Sequence, residues 1–219
     1  MNYDLKDILN KIDSKEIREF LYDNLINNDY LLNKFRIKFN NFFPKLSRSA
    51  YENKIAMAIN NCANKRGYIE YGNTDSYECV MLEYLDEAWK LVSIKDFATA
   101  FTIVSLILDS IPKTDIDDSN GSTGMVADHC QKVMYDILDC LDNKDTLVKD
   151  ILDYVFMEVK SLTLYNYGIQ LYKMLEYFIQ KKLYLEEITR VLQDSLEVNC
   201  EKSLYVRQKI TEYLKLLGV

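Results

Sequence analysis

Glycine and proline are scarce in this 219-residue chain, at 6 and 2 residues. Sheet proteins reverse direction through turns that use these two residues, so their scarcity argues against a strand-rich fold. Histidine and tryptophan occur once each. One histidine leaves little for a zinc site of the usual composition, and neither a Cys-x-x-Cys nor a Cys-x-Cys pair is present. There is no Gly-rich phosphate loop, nucleophile elbow or paired kinase motif, so no reaction class is indicated. The longest uncharged apolar stretch, Phe97 to Leu108, is too short to span a bilayer. The opening Met-Asn-Tyr-Asp lacks the basic-then-apolar pattern of a signal peptide, and a cytoplasmic location is expected. Basic excess is also missing. The net charge is −7, whereas nucleic-acid binding rests on Lys and Arg neutralising phosphates. The strongest local exception, Lys34-Phe-Arg-Ile-Lys38, is read as the solvated edge of an amphipathic helix.

What the chain has in abundance is helical periodicity. Tyr77–Val92 places Tyr77, Met81, Tyr84, Leu85, Ala88, Leu91 and Val92 on one face. After a short turn, Asp96–Ile111 does the same with Phe97, Ala100, Phe101, Val104, Leu108 and Ile111, and Pro112 closes the unit. The stretch resembles a single degenerate tetratricopeptide-type hairpin. Further helices are predicted at Lys15–Ile26, Tyr30–Phe42, from Ser49 to about Asn64, and at Met125–Leu141, Thr146–Leu162, Tyr167–Gln180, Leu185–Glu197 and Ser203–Leu217. Pro44 is expected to stop the second of these. Asp13/Glu16, Ser49/Glu52 and Asp75/Glu78 have capping-box spacing. Gly67 suits a left-handed helix C-cap and Gly72 a turn, with Tyr68–Tyr71 extended or irregular between them.

The expected fold is all-α: an irregular α–α superhelix of antiparallel hairpins joined by short loops. The polar stretch 113–124 is the longest break. It divides residues 1–112 from 125–219, two sets of hairpins expected to continue as one elongated domain. A stacked helical fold of this kind usually presents a binding surface, so a protein or peptide partner is expected, with no cofactor, metal or membrane.

Five cysteines, Cys62, Cys79, Cys130, Cys140 and Cys200, are widely spaced and odd in number. In a reducing compartment they are expected to be mostly small buried side chains. His129-Cys130 resembles a nucleophilic pair, but adjacent helical residues point about 100° apart. Asp115–Gly121 resembles a calcium loop until it is aligned. With Gly121 at position six, position one is Ile116 and position twelve Ala127, and neither ligates. Most of the 17 tyrosines and 9 phenylalanines fall on apolar stripes. Tyr68 and Tyr71, beside two glycines, do not.

Arg66-Gly-Tyr-Ile-Glu-Tyr71, a helical hairpin, and then Asp117-Asp-Ser-Asn-Gly121 together resemble the helical region beside the finger in bacterial SWIM zinc-finger proteins. Asn120 stands where aspartate is usual there. Asp13-Ser-Lys-Glu-Ile-Arg-Glu-Phe20 fits as well, so the likeness spans residues 13 to 145. The finger's Cys-x-Cys and Cys-x-His are missing, so metal and nucleic-acid binding do not carry over. The resemblance implies a helical fold, and either a domain of a longer protein or a stand-alone relative. It assigns no activity. The candidate partner or ligand surface is Arg66, Tyr68, Tyr71, Asp117 and Asp118, and the alternative use of these residues is ligand or metal sensing.

Overall fold

The computed structural model describes residues 8–39, 46–160, 168–198 and 204–219. The chain is all-α, with one two-residue strand pair among the described residues. It divides into two compact units, Met1–Leu46 and Ser47–Val219. This differs from a division at 113–124. That segment lies within the second unit, because the helices on either side of it pack together.

The first unit holds α1 (Ser14–Ile26) and α2 (Asp29–Lys38), which pack on each other. Asp13 caps α1 by accepting from the Lys15 amide at 2.7 Å, and Asn28 caps α2 by accepting from the Leu31 amide. Lys34 and Lys38 sit over the rings of Tyr30 and Phe39. The helix end predicted at Phe42, the stop at Pro44, the boundaries at Leu162, Tyr167 and Ser203, and Cys200 lie outside the described residues.

The second unit contains α3 (Arg48–Cys62), β1 (Tyr68–Ile69), α4 (Thr74–Ser93), α5 (Phe97–Ser110), β2 (Asp115–Ile116), α6 (Ser122–Cys140), α7 (Thr146–Lys160), α8 (Gly168–Gln180), α9 (Leu185–Val198) and α10 (Leu204–Leu216). The predicted stripes become the core. Tyr77, Met81, Leu85 and Ala88 of α4 are fully buried against Ala100, Ile103 and Val104 of α5 and Val126, Cys130 and Val133 of α6. Lys95 turns the chain between α4 and α5 with φ of 64°. Capping departs from prediction in two places. Ser47, not Ser49, caps α3 by accepting from the Ala50 amide. The α4 N-cap is Asn73 rather than the Asp75/Glu78 pair, and its side chain instead donates to the Cys62 carbonyl at 3.2 Å.

The helices lie in two rows. α4 packs on α6 and α6 on α8, and Tyr213 of α10 donates to Glu176 of α8 at 2.8 Å. In the other row α3 packs on α5 and α7 on α9. Each row is stitched by aromatic donors and carboxylates. Trp89 Nε1 donates to Asp136 at 2.7 Å, and Tyr177 donates to Asp139 at 2.9 Å while stacking on Tyr135. In the second row Tyr154 of α7 donates to Asp109 of α5 at 2.9 Å, Arg48 of α3 pairs with the same carboxylate at 3.0 Å, and Lys149 of α7 pairs with Glu187 of α9. These tyrosines pack their rings inward and still find an acceptor for the hydroxyl, as half-buried tyrosines do.

Burial together with the Asp139 carboxylate pushes the Tyr177 hydroxyl up to about 12. Burial and Glu176 push Tyr213 upward as well. A folded-state pKa above the unfolded value of 10 means this stabilisation is complete below pH 10 and lost as the pH rises toward 12. Far-UV circular dichroism should therefore show thermal stability falling over that window. Replacing both Tyr177 and Tyr213 with Phe should flatten the fall. Tyr77 gives a second test. Its hydroxyl is buried with no hydrogen-bond partner among the described residues, and an unpaired buried hydroxyl costs about 1–3 kcal/mol. Tyr77→Phe should leave thermal stability unchanged or raise it, against the usual expectation for altering a fully buried side chain.

Candidate functional site

The two segments singled out in sequence come together. β1 and β2 run parallel, with Tyr68 opposite Asp115 and Ile69 opposite Ile116. Parallel strands need a crossover, and the α4–α5 hairpin supplies it. The Asp117 amide continues the pairing by donating to the Ile69 carbonyl at 2.9 Å. Ile69 is fully buried beneath this bridge. Asn64 shapes the approach to β1. Its side-chain oxygen accepts from the Arg66 and Tyr68 amides, its amide group donates to Glu70, and its backbone N–H donates to the Tyr68 carbonyl. Gly67 occupies a φ of 81° in this turn rather than capping a helix, since α3 has already ended at Cys62.

The carboxylates of the loop after β2 are engaged locally. Asp118 accepts from the Thr123 amide at 2.9 Å and from its hydroxyl at 2.5 Å, capping α6. Asp117 accepts from the Ser119 amide and hydroxyl. Asn120 bridges two helix starts. Its amide group donates to the Thr74 hydroxyl of α4 at 2.8 Å, and its oxygen accepts from the amide and hydroxyl of Ser122 in α6. Gly121, with φ of 77°, lets the chain turn directly into α6. Thr74 also donates to the Tyr71 carbonyl at 2.8 Å. The N-termini of α4 and α6 therefore converge on Asn120. Each carries about +0.5 of partial charge, which accounts for Asp75, Asp117 and Asp118 gathering there.

Of the five candidate residues, Tyr68 and Asp117 lie side by side at the strand pair, and Asp118 lies at the α6 cap. The Tyr68 hydroxyl is pushed up by desolvation, then by Asp117, Asp115 and Glu70. Tyr71 is 61% exposed at the start of a 3₁₀ turn, and Arg66 is exposed with its backbone amide held by Asn64. Among the described residues no three His, Cys, Asp or Glu side chains gather as a metal would require.

The His129-Cys130 neighbours diverge. Cys130 is fully buried, and burial pushes its thiol up, away from the reactive thiolate. His129 is half-buried, with Nδ1 2.9 Å from the Met125 carbonyl and its ring edge-on to Trp89. Cys62 is buried as well, whereas Cys79 and Cys140 are exposed.

One feature was not legible in sequence. A cleft of about 260 Å³ runs between α3 and the end of α5. Ile55, Ile59 and Leu106 form its apolar lining, and Arg48, Asn60 and Lys113 its polar rim. Arg48 is held in place by the Ser105 hydroxyl and Asp109, both at 3.0 Å. The α3 stripe of Ile55, Ala58, Ile59 and Cys62 carried the signal, but which part of it α5 leaves uncovered depends on helix packing.

Comparison with protein-family models, curated proteins and solved structures finds no match. No helix among the described residues is long and apolar enough to cross a membrane.

The bridging role of Asn120 is open to direct measurement. Asn120→Asp removes the donor to Thr74 and sets a carboxylate facing Asp75, whose oxygen lies 3.4 Å from the present amide group. The expected loss is about 1 kcal/mol, seen as a lower denaturant midpoint at unchanged slope. Asn120→Ser, which retains a short donor, should lose less.

Proposed function

We propose that this chain is a non-catalytic helical scaffold that docks a protein or peptide, acting in the cytoplasm. The observation that carries the proposal is the α3–α5 cleft: an apolar floor, a polar rim, and an arginine already fixed in position. Grooves of this make-up bind a peptide by burying one or two apolar side chains while rim donors meet its backbone carbonyls. The two rows of helices support an irregular α–α superhelix as the framework, a fold whose rigid stacked layers suit recognition. The resemblance to the helical region beside SWIM zinc fingers points the same way. The segments that carry it, Arg66–Tyr71 and Asp117–Gly121, serve here as a brace across the α4–α5 hairpin.

Charge favours a protein over nucleic acid as the partner. The second unit carries 19 Lys and Arg against 27 Asp and Glu, a net charge of −8, which would repel phosphates.

The test is selection from a displayed random-peptide library on the full chain, followed by affinity measurement on a groove-filling variant. Ala56 is an exposed residue lining the cleft, so Ala56→Trp should block the groove without disturbing the core. Selected peptides should bind Ala56→Trp at least about tenfold more weakly, a difference of about 1.4 kcal/mol. Failure to enrich any peptide, or equal binding by Ala56→Trp, would contradict the proposal.

A further inference from the structure

A second surface lies apart from the α3–α5 cleft, on the outer flank of α9 where it meets α10. An open groove of about 730 Å³ is lined there by Ile179, Leu185, Leu216 and Leu217, with Val219 at its edge. Leu216 is 68% exposed and Val219 62%. Large apolar side chains clustered this openly mark an association surface. The charges beside the groove indicate what covers it. Lys182, in the turn before α9, is followed by Glu186, Arg190 and Asp194, four residues apart and alternating in sign. All four are exposed, and none closes an ion pair among the described residues.

We propose that this face is a two-fold interface between two copies of the chain, with the α9 helices antiparallel and the axis level with position 188, on the exposed side of α9 that carries Glu186 and Arg190. Of the antiparallel registers, this one alone pairs all four charges with a partner of opposite sign. Residues equidistant from 188 meet across the axis, so Glu186 faces Arg190 of the second copy and Lys182 faces its Asp194. Such an interface is isologous: each contact occurs twice, and the assembly closes at a dimer. The groove of each copy, left in water in the single chain, is covered by α9 of the other. The alternating charges fix the register rather than supply most of the affinity, since exposed ion pairs contribute little individually. The inference is independent of the peptide cleft, and either can fail without the other.

Sedimentation velocity on the full chain from about 1 to about 100 µM reads the association directly. Wild-type protein should form a dimer and nothing larger. Leu216→Asp buries a charge in the apolar contact and should weaken the dimer at least about a hundredfold. Arg190→Glu sets carboxylates opposite Glu186 twice, and Glu186→Arg sets guanidinium groups opposite Arg190 twice. Each alone should weaken the dimer about tenfold. Mixed together, these two variants should form a heterodimer of near wild-type affinity, and the double variant E186R/R190E should regain its own dimer. Circular dichroism on each variant separates loss of association from loss of fold, and the heterodimer requires both chains to be folded. A wild-type chain that is monomeric throughout the range overturns the proposal. A dimer indifferent to Leu216→Asp overturns the location. A dimer indifferent to the charge exchanges, or not restored by mixing, overturns the antiparallel register.

Discussion

Two helices in this protein begin at the same point, and that convergence constrains much of what surrounds it. The N-termini of α4 and α6 each leave amide donors without helical partners and concentrate partial positive charge. Asn120 joins them through Thr74 and Ser122, while Asp118 caps α6. The acidic loop is then explained without a ligand. Its carboxylates offset two helix dipoles; Asp118 accepts from the amide and hydroxyl of Thr123 at the start of α6, and Asp117 accepts from Ser119 within the loop. The β1–β2 bridge holds the loop in place by tying Asp117 to the buried Ile69.

From that junction the second unit extends as paired layers. α4, α6 and α8 carry one row of aromatic-to-carboxylate links; α3, α5, α7 and α9 are joined by the Tyr154–Asp109 hydrogen bond and by the Arg48–Asp109 and Lys149–Glu187 ion pairs. Burial of the apolar stripes supplies the main driving force. The links act differently: a tyrosine or tryptophan donor meeting a carboxylate on the next helix sets how far one helix slides along its neighbour. Each contributes on the order of 1–3 kcal/mol, small beside the burial of the apolar stripes. Their repetition at successive layers matters more to the regularity of the rows than to the free energy of folding.

Periodicity made the helices legible. α1, α7 and α9 begin or end within a residue or two of expectation, because each carries an unbroken apolar stripe and a polar turn at its ends. Caps were less legible. Ser47 and Ser49 are equally plausible from local pattern, and only the backbone geometry at Ser47 decides between them. The strand at Tyr68–Ile69 falls in a segment read as extended or irregular, but its pairing with Asp115–Ile116 could not be read. Two residues are too few to show a period, and Tyr68 and Asp115 are 47 positions apart. The same limit applies to the polar stretch 113–124. It looks like a boundary because it is hydrophilic, yet its hydrophilic side chains are what the two converging helix starts require. The two segments that hold the candidate residues are brought together by the strand pair. What sequence alone withheld was the α4–α6 packing that gives Asn120 its partner Thr74, and the uncovered side of α3 that forms the cleft.

The central claim is that the junction of β1, β2 and the loop after them is a structural brace integral to the folded unit. Native-state hydrogen exchange of the Asp117 amide, which donates to the Ile69 carbonyl across the bridge, measures this most directly. An integral brace predicts that this amide opens only with the unit as a whole, at the same free energy as the amides of Met81 and Leu85 in the centre of α4. Exchange of Asp117 close to the rate of an unprotected amide, with α4 still protected, would contradict the claim and return the loop to the status of an independent, ligand-ready segment.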